Sequence, residues 1–218
     1  MFKPDVVNKV WLSLMLVCGY MPIECDEVRD PALIKKLATS MSSELDQSDH
    51  FDAQVWLLST EARLQRFVAN GEERLLIMRS TYREAHRQGL DPDLVLSLMQ
   101  VESAFDRFAV SRVGAQGLMQ IMPFWLDEIG RPRDNLSDIE TNIRYGTTIL
   151  AHYLEISNSD LVEALARYNG SKGRLKYPEK VVKVWRQSWQ TRATEDLPEL
   201  QQSCTRYGLK ACGSWGKL

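Results

Sequence analysis

Residues 91–123 constrain the fold of this chain more than any other stretch. Asp91-Pro92 predicts the cap and the first residue of a helix, because aspartate accepts unpaired N–H groups and proline has none to lose. The residues that follow are apolar on most sides as far as Val101. A helix that is apolar all round has to be buried, so the rest of the chain is expected to pack around it. It ends at Glu102, which brings a carboxylate to the tip of a core helix.

Glu102 has the surroundings expected of a proton donor. The helix dipole disfavours an anion at a C-terminus, and burial disfavours the charged form, so both effects raise the pKa of this carboxyl. A raised pKa suits a general acid. A second carboxylate, Asp106, follows in a loop, where a solvated or capping role is favoured over a catalytic one. The turn after it contains Gly114 and Gly117, which favour positive φ angles.

The pattern on both sides of this helix is helical as well. Apolar residues recur every three or four positions, and no useful stretch alternates apolar and polar residues as a strand does. We therefore predict an all-α fold, with helices over residues 31–46, 51–68, 72–88, 92–103, 117–129 (bent at Pro123), 139–154, 161–168 and 179–189. Residues 107–116 and 130–135 are predicted to be loops, and residues 191–218 a short C-terminal tail.

The charge of the chain excludes one class of function. The chain has 218 residues and a formal net charge of −2, whereas neutralising a nucleic-acid backbone needs clustered positive charge. We therefore expect no nucleic-acid partner. The charges are unevenly placed, since residues 24–73 lean acidic and residues 172–192 lean basic. Each run is typical of a solvated helix face, and the basic run also fits attraction to an anionic polymer such as a cell wall.

The N-terminus predicts export. Lys3 and Lys9 precede an apolar run of eleven residues, 10–20, which is too short to span a bilayer but fits the core of a signal peptide cleaved before Tyr20. The periplasm is then the expected location. A buried N-terminal helix and a lipid anchor on Cys18, which would associate the chain with the outer membrane, are the alternatives.

The cysteines and histidines predict no metal site. The four cysteines contain no Cys-x-x-Cys pair, and the three histidines are scattered along the chain. In an oxidising compartment Cys204 and Cys212 are close enough in sequence to close a small loop. Cys25 would then be free or would compete for one of the other two.

Three motifs with a shared resemblance occur in order along the chain. They are Val101-Glu-Ser103, Val110-Ser-Arg-Val-Gly-Ala-Gln-Gly-Leu-Met-Gln-Ile-Met-Pro123 and Ala166-Arg-Tyr-Asn-Gly170, with Asn142-Ile-x-x-Gly146 between the second and the third. Together they resemble the soluble lytic transglycosylase family, which has a lysozyme-like fold. The resemblance covers residues 72–190, and it implies a peptidoglycan-cleaving enzyme that needs no cofactor.

The resemblance also implies roles for individual residues. Glu102 matches the single catalytic carboxylate of the family, which acts first as acid and then as base on the bond between N-acetylmuramic acid (MurNAc) and N-acetylglucosamine (GlcNAc). The product is a 1,6-anhydro sugar. Five further positions match groups around the reacting sugar: Ser111, Gln120, Met122, Tyr168 and Asn169. Met122 would form an apolar wall, and Tyr168 is expected to hydrogen-bond near the Glu102 carboxyl.

Alternatives remain open at several of these positions. Gln120 is also suited to capping a backbone group, and Met122 to filling the core. Three tryptophans belong either to the core or to sugar-stacking surfaces: Trp125, Trp185 and Trp189. At the level of function, the competing hypotheses are a lysozyme-type hydrolase with a second carboxylate and a non-catalytic wall-binding module that recruits a cell-envelope protein. The predicted organisation is a signal peptide (1–19), an N-terminal arm with helices (20–71), the lysozyme-like domain (72–190) and the tail (191–218).

Overall fold

The computed structural model of the chain describes residues 30–42, 50–129, 131–190, 202 and 205–210. Within these ranges the regular structure is helical, apart from two isolated β-bridges. The helices are α1 (Pro31–Ser42), α2 (His50–Leu64), α3 (Gly71–Arg87), α4 (Pro92–Ser103), α5 (Phe124–Glu128), α6 (Ile139–Ile156), α7 (Leu161–Tyr168) and α8 (Lys176–Val184), followed by a π-helical turn, π1 (Trp185–Trp189). The prediction of an all-α fold is confirmed. The predicted signal peptide and all four cysteines lie outside the described residues.

Helix α4 is the centre of the fold, as its sequence predicts. Residues 92–99 are all buried, and α3, α8 and π1 pack around them. The Asp91 side chain caps the helix by accepting the Asp93 N–H at 2.7 Å. Asp93 is itself 2% exposed, and its carboxylate accepts the indole N–H of Trp56 at 2.7 Å. Fully burying each large apolar side chain of this helix stabilises the fold by about 1.5–3 kcal/mol.

The N-terminal helices join the same core, although the sequence leaves their role open. Leu33 and Leu37 of α1 are completely buried, and α1 packs along α6. Helix α2 packs on α3, where the guanidinium of Arg74 contacts the Glu61 carboxylate at 2.6 Å. No helix within the described part of the chain is long and apolar enough to cross a membrane.

The predicted helix over residues 117–129 is wrong in its first half. Only α5 is helical there, and Pro123 precedes it instead of bending it. Gly117 and Gln120 have φ angles of 76° and 52°, which a right-handed helix does not contain. The backbones of Gln116 and Ile121 exchange two hydrogen bonds of 2.9 Å and close a compact loop. Residues 109–121 are called the site loop below.

Helix α8 begins three residues before the predicted start at residue 179. Pro178 lies in its first turn, where a backbone N–H has no partner inside the helix and its loss costs nothing. The earlier start brings Lys176 and Tyr177 into the helix. At its other end the helix widens into π1, whose Trp185 and Trp189 are buried.

Part of the predicted tail is bound to the domain. The buried carboxylate of Asp160 accepts hydrogen bonds of 2.8 Å from Arg206 and from the hydroxyl of Tyr207. The Glu179 carboxylate accepts the Lys210 N–H at 2.8 Å, and Leu209 is 4% exposed. These contacts attach residues 205–210 to the starts of α7 and α8.

Candidate active site

Glu102 lies in the last turn of α4, at the point where the chain leaves the helix abruptly. The two residues after the end of the helix, Ala104 and Phe105, both have left-handed φ angles, of 51° and 67°. Each such residue costs about 1–2 kcal/mol, so tertiary contacts must hold them. The ring of Phe105 is 3% exposed, and its centroid lies 5.5 Å from that of Trp189. The hydroxyl of Ser103 donates to the Leu118 carbonyl at 2.8 Å, which ties the helix end to the site loop.

The electrostatics of Glu102 are those of a weak acid. Burial raises the pKa of its carboxyl above the ordinary value of 4.5. A hydrogen bond from Tyr177 and the positive charge of Lys180 act in the opposite direction but do not cancel the effect of burial. The predicted rise in pKa therefore agrees with the geometry, and burial is its main cause.

Tyr177 is the direct partner of the Glu102 carboxyl, and it was not predicted from the sequence. Its hydroxyl donates to Oε1 of Glu102. Burial and the nearby carboxylate raise the pKa of Tyr177 well above 10, so the phenol keeps its proton and remains a donor. Pro178 is the feature of the sequence that could have predicted this role. A proline is tolerated anywhere in the first turn of a helix, so the helix can begin before Pro178 and include Tyr177 at the end that faces α4.

Tyr168 forms its hydrogen bond beside the Glu102 carboxyl. Its hydroxyl donates to the backbone carbonyl of Met119 at 2.8 Å, and not to the Glu102 carboxyl. It is nevertheless close to that carboxyl, since the charge of Glu102 contributes, after burial, to the raised pKa of Tyr168. The residue that follows, Asn169, caps α7 with its backbone, and its side chain is exposed.

The site loop holds Ser111 and Gln120 through their own side chains. The Ser111 hydroxyl accepts the Ala115 N–H at 3.0 Å, which closes the turn. The side-chain amide nitrogen of Gln120 donates to the carbonyls of Ala109 and Gly117, at 3.2 and 2.9 Å. Gln120 therefore has the capping role that was one of its two alternatives.

Helix α6 fixes the site loop through Asn142 and Gly146. The side chain of Asn142 is 1% exposed, accepts the Met119 N–H at 2.8 Å, and donates to the carbonyls of Gln116 and Leu136 at 2.9 and 2.8 Å. A Cβ at position 146 would lie 2.7 Å from Cβ of Met119, so only glycine admits that side chain. The Met119 peptide is thus held by Asn142 on one side and by Tyr168 on the other.

The remaining predicted residues divide between the core and the surface. Met122 is half-buried and packs against the core next to the loop. Trp125, Trp185 and Trp189 are at most 4% exposed, so they belong to the core and offer no face for sugar stacking. Asp106 is exposed, and its carboxylate accepts the Phe108 N–H at 2.8 Å, which is the capping role favoured for it.

The Tyr177 hydroxyl and the Lys180 ammonium both lower the pKa of the Glu102 carboxyl. No carboxylate in the described part of the chain is among the groups that shift its pKa. The described residues also contain no group of three or more side chains that could hold a metal ion. The arrangement is that of one weak acid, held by a neutral donor and faced by an ordered polar loop.

Comparison with known proteins identifies the domain. The sequence model of the transglycosylase SLT domain matches residues 80–186. The chain is 28% identical over 164 residues to the membrane-bound lytic murein transglycosylase F of Desulfosudis oleivorans, covering 72% of this chain and 34% of that relative. It is 37% identical over 107 residues to the membrane-bound lytic murein transglycosylase C of Edwardsiella ictaluri, covering 42% and 30%. The chain thus spans about a third of the length of these curated relatives.

Among solved structures, an inactive mutant of the lytic transglycosylase Slt from Pseudomonas aeruginosa is similar at a TM-score of 0.42 and 24% identity, over 70% of this chain and 29% of that one. The matched range 80–186 contains Glu102, Tyr168, Tyr177 and the whole site loop. The resemblance to the soluble lytic transglycosylase family is therefore confirmed, and this chain carries a transglycosylase SLT domain.

Proposed function

We propose that the chain is a lytic transglycosylase that cleaves the MurNAc–GlcNAc bond of peptidoglycan and leaves 1,6-anhydro-MurNAc ends. The observation that carries the proposal is the half-buried Glu102 carboxyl, with its raised pKa and its tyrosine partner, at the tip of α4. Its place inside the SLT domain supports the reaction class, and the names of the relatives support the substrate.

In the first step Glu102 donates a proton to the oxygen that leaves C1 of MurNAc. Because the Tyr177 hydroxyl occupies Oε1, the proton to be donated is carried on Oε2. Proton transfer from a positioned side chain is worth about two to four powers of ten in rate. The glycosidic bond breaks as its electron pair goes to the protonated oxygen, and the acetamide of the same sugar stabilises the cationic C1.

In the second step the same carboxyl acts as a base. Glu102, now ionised, accepts the proton of the C6 hydroxyl as its oxygen forms a bond to C1. The Tyr177 hydrogen bond and the Lys180 charge stabilise the carboxylate at this stage, since both lower its pKa. The proton lost in the first step is regained, so the cycle closes without consuming water.

The surroundings of Asp106 disfavour hydrolysis. Hydrolytic glycosidases generally use two carboxyl groups, about 5–5.5 Å or about 6.5–9.5 Å apart. Asp106 was the sequence candidate for that role, and its carboxylate is used to cap a turn in the loop. The single-carboxylate mechanism is therefore the one that the site supports best.

The proposal includes a location in the cell envelope. The two relatives described above carry "membrane-bound" in their names. The predicted signal peptide would deliver the chain to the periplasm, where its polymer lies, and association with the outer membrane is the further expectation. A cell-envelope protein partner stays a prediction from the acidic N-terminal arm.

Product analysis tests the proposed function. Purified peptidoglycan is digested with the protein, and the released muropeptides are weighed by mass spectrometry. We expect ends that are lighter by one water than reducing ends. Reducing ends alone would assign the chain to the hydrolases. A digest that releases no more sugar than a parallel Glu102→Gln digest would assign it to the non-catalytic wall binders.

A further inference from the structure

A row of cations borders the candidate active site. The loop between α7 and α8 carries Arg174, and α8 carries Lys176, Lys180 and Lys183 at spacings of four and three residues, which place them on one helix face. All four side chains are exposed. We call these four residues the basic stripe. It stands out because the whole chain has a net charge of −2.

The stripe begins at the reacting centre and leads away from it. Tyr168 ends α7 and Tyr177 lies in the first turn of α8, so the loop with Arg174 joins the two tyrosines of the site. Lys180 is close enough to lower the pKa of Glu102. Lys183, a further turn along α8, extends the stripe outward.

The loop that carries the first cation is ordered by its own backbone. The Ser171 N–H donates to the Ala166 carbonyl at 2.7 Å, and the Arg174 N–H donates to the Ser171 carbonyl at 2.9 Å. Gly170 and Gly173 have φ angles of 65° and 77°, which make these turns. Arg174 is therefore presented at a defined place beside the site.

The segment contains one acid, Glu179, against the four cations of the stripe. Glu179 is half-buried, and its carboxylate accepts the backbone N–H of Lys210 at 2.8 Å. The segment therefore has a surplus of positive charge next to a site that, by the proposed function, receives a polymer. A polymer strand lying in the site would bring any acidic substituents near this charge.

We infer that the basic stripe binds the carboxylates of the peptide stems on peptidoglycan, so that the preferred substrate is glycan with its stems attached. This inference rests on the proposed function. The stems contain several carboxylates, whereas the glycan itself has only the lactyl carboxyl of MurNAc, which is a neutral amide where a stem is attached and a free carboxylate after the stem is removed. A cation bound to a stem would hold the strand in place while Glu102 reacts.

Steady-state kinetics on two matched substrates test the inference. One is soluble glycan with its stems attached, and the other is the same glycan after an amidase has removed them. The quantity measured is the KM on denuded glycan divided by the KM on stem-bearing glycan. For the wild-type chain this ratio should exceed one. In R174Q/K176Q it should fall about three- to tenfold, the size expected for two exposed charge contacts.

A matched pair of substitutions controls for net charge. Lys35→Gln with Arg79→Gln removes the same two charges from exposed positions on α1 and α3. This pair should leave the KM ratio unchanged. The difference between R174Q/K176Q and the wild type should also fade in about 1 M salt, where the Debye length is about 3 Å.

Two results would overturn the inference: a ratio that stays unchanged in R174Q/K176Q, even if KM rises equally on both substrates, or the same fall of the ratio in the control pair. Binding of both glycans to the Glu102→Gln protein supplies a readout that is independent of cleavage. There, loss of stem-dependent affinity in R174Q/K176Q supports the stripe even if the wild type yields reducing ends. Failure of the proposed function is thus distinguishable from failure of the inference.

Discussion

Two helical glutamates in this domain have opposite surroundings. Glu84 of α3 is completely buried, and three guanidinium groups lie within 3.5 Å of its carboxylate, those of Arg83, Arg87 and Arg144. Glu102 of α4 is half-buried and accepts a hydrogen bond from the neutral hydroxyl of Tyr177. Among the described residues, the one cation that lowers its pKa is Lys180. Both are acids on core helices, and they differ in burial and in the charge of their partners.

The difference explains why one acid is structural and the other is suited to chemistry. Three cations compensate the charge of Glu84, so its carboxylate joins α3 to α6 through Arg144. Glu102 has too little positive charge nearby to offset its burial, so its pKa is raised. A carboxyl with a raised pKa is protonated over a wider pH range and is better suited to act as a general acid.

Glu102→Gln is the substitution with the largest expected effect. It keeps the shape of the side chain and removes the proton to be transferred, so the cleavage rate should fall by about two to four powers of ten. Release of soluble muropeptides from peptidoglycan measures this rate. Glu84→Gln, assayed below its melting temperature, is the matched control and should retain cleavage. Equal losses in both variants would remove the functional distinction between the two acids.

Glu84→Gln should have the largest effect on stability. It leaves three guanidinium groups without their carboxylate, which should cost about 3 kcal/mol in the free energy of unfolding, the lower end for breaking a buried ion pair because the arginines are partly exposed. Urea denaturation measures this loss. A change below about 1 kcal/mol, the range of exposed pairs, would show that the cluster is not a structural one.

The two tyrosines should differ in the size and kind of their effects. Tyr177→Phe removes a hydrogen bond to a charged group, and kcat should fall about 10- to 100-fold, since such bonds are worth about 1.5–3 kcal/mol. Tyr168→Phe removes a bond to the Met119 carbonyl and should cost about three- to tenfold, with turnover affected more than binding. Separate kcat and KM values check both. An unchanged rate in Tyr168→Phe would show that its hydroxyl does not support the site.

The smallest expected effect is on the pH dependence of stability. The pKa of Glu102 is raised in the folded state, so its contribution to stability is fully present below the ordinary pKa of 4.5 and is lost as the pH rises through the folded value. Glu102→Gln does not titrate. The variant should therefore gain stability relative to the wild type as the pH rises from 4 to 7. Urea titrations at several pH values measure this difference, and a constant difference would contradict the raised pKa.

The parts of the fold that depend on local sequence were predictable. The cap, the apolar faces and the acidic end of α4 are all visible within residues 91–103, and burial followed from them. The site loop was not predictable in the same way. Gln120 has a left-handed φ because Asn142 and Gly146, more than twenty residues later, hold the neighbouring Met119. The local sequence of this segment predicts a helix, but its tertiary contacts stabilise a loop.

Among the site residues, too, those that depend on local sequence were predictable and those that depend on distant contacts were not. Glu102 follows from its position at a helix end and from the motifs around it. Tyr177 was not predicted because a proline is typical of the first position of a helix, which would leave Tyr177 outside α8, whereas Pro178 lies within the first turn. The attachment of residues 206–210 to Asp160 and Glu179 was also missed, because it joins positions far apart in sequence.

Digestion in water enriched in ¹⁸O tests most directly the claim that Glu102 works with no second carboxylate and no attacking water. If the C6 hydroxyl is the nucleophile, the sugar ends released by the protein contain no ¹⁸O, and their mass is the same in either water. One ¹⁸O atom at each new MurNAc end would show that water attacks C1. That result would contradict the single-carboxylate mechanism.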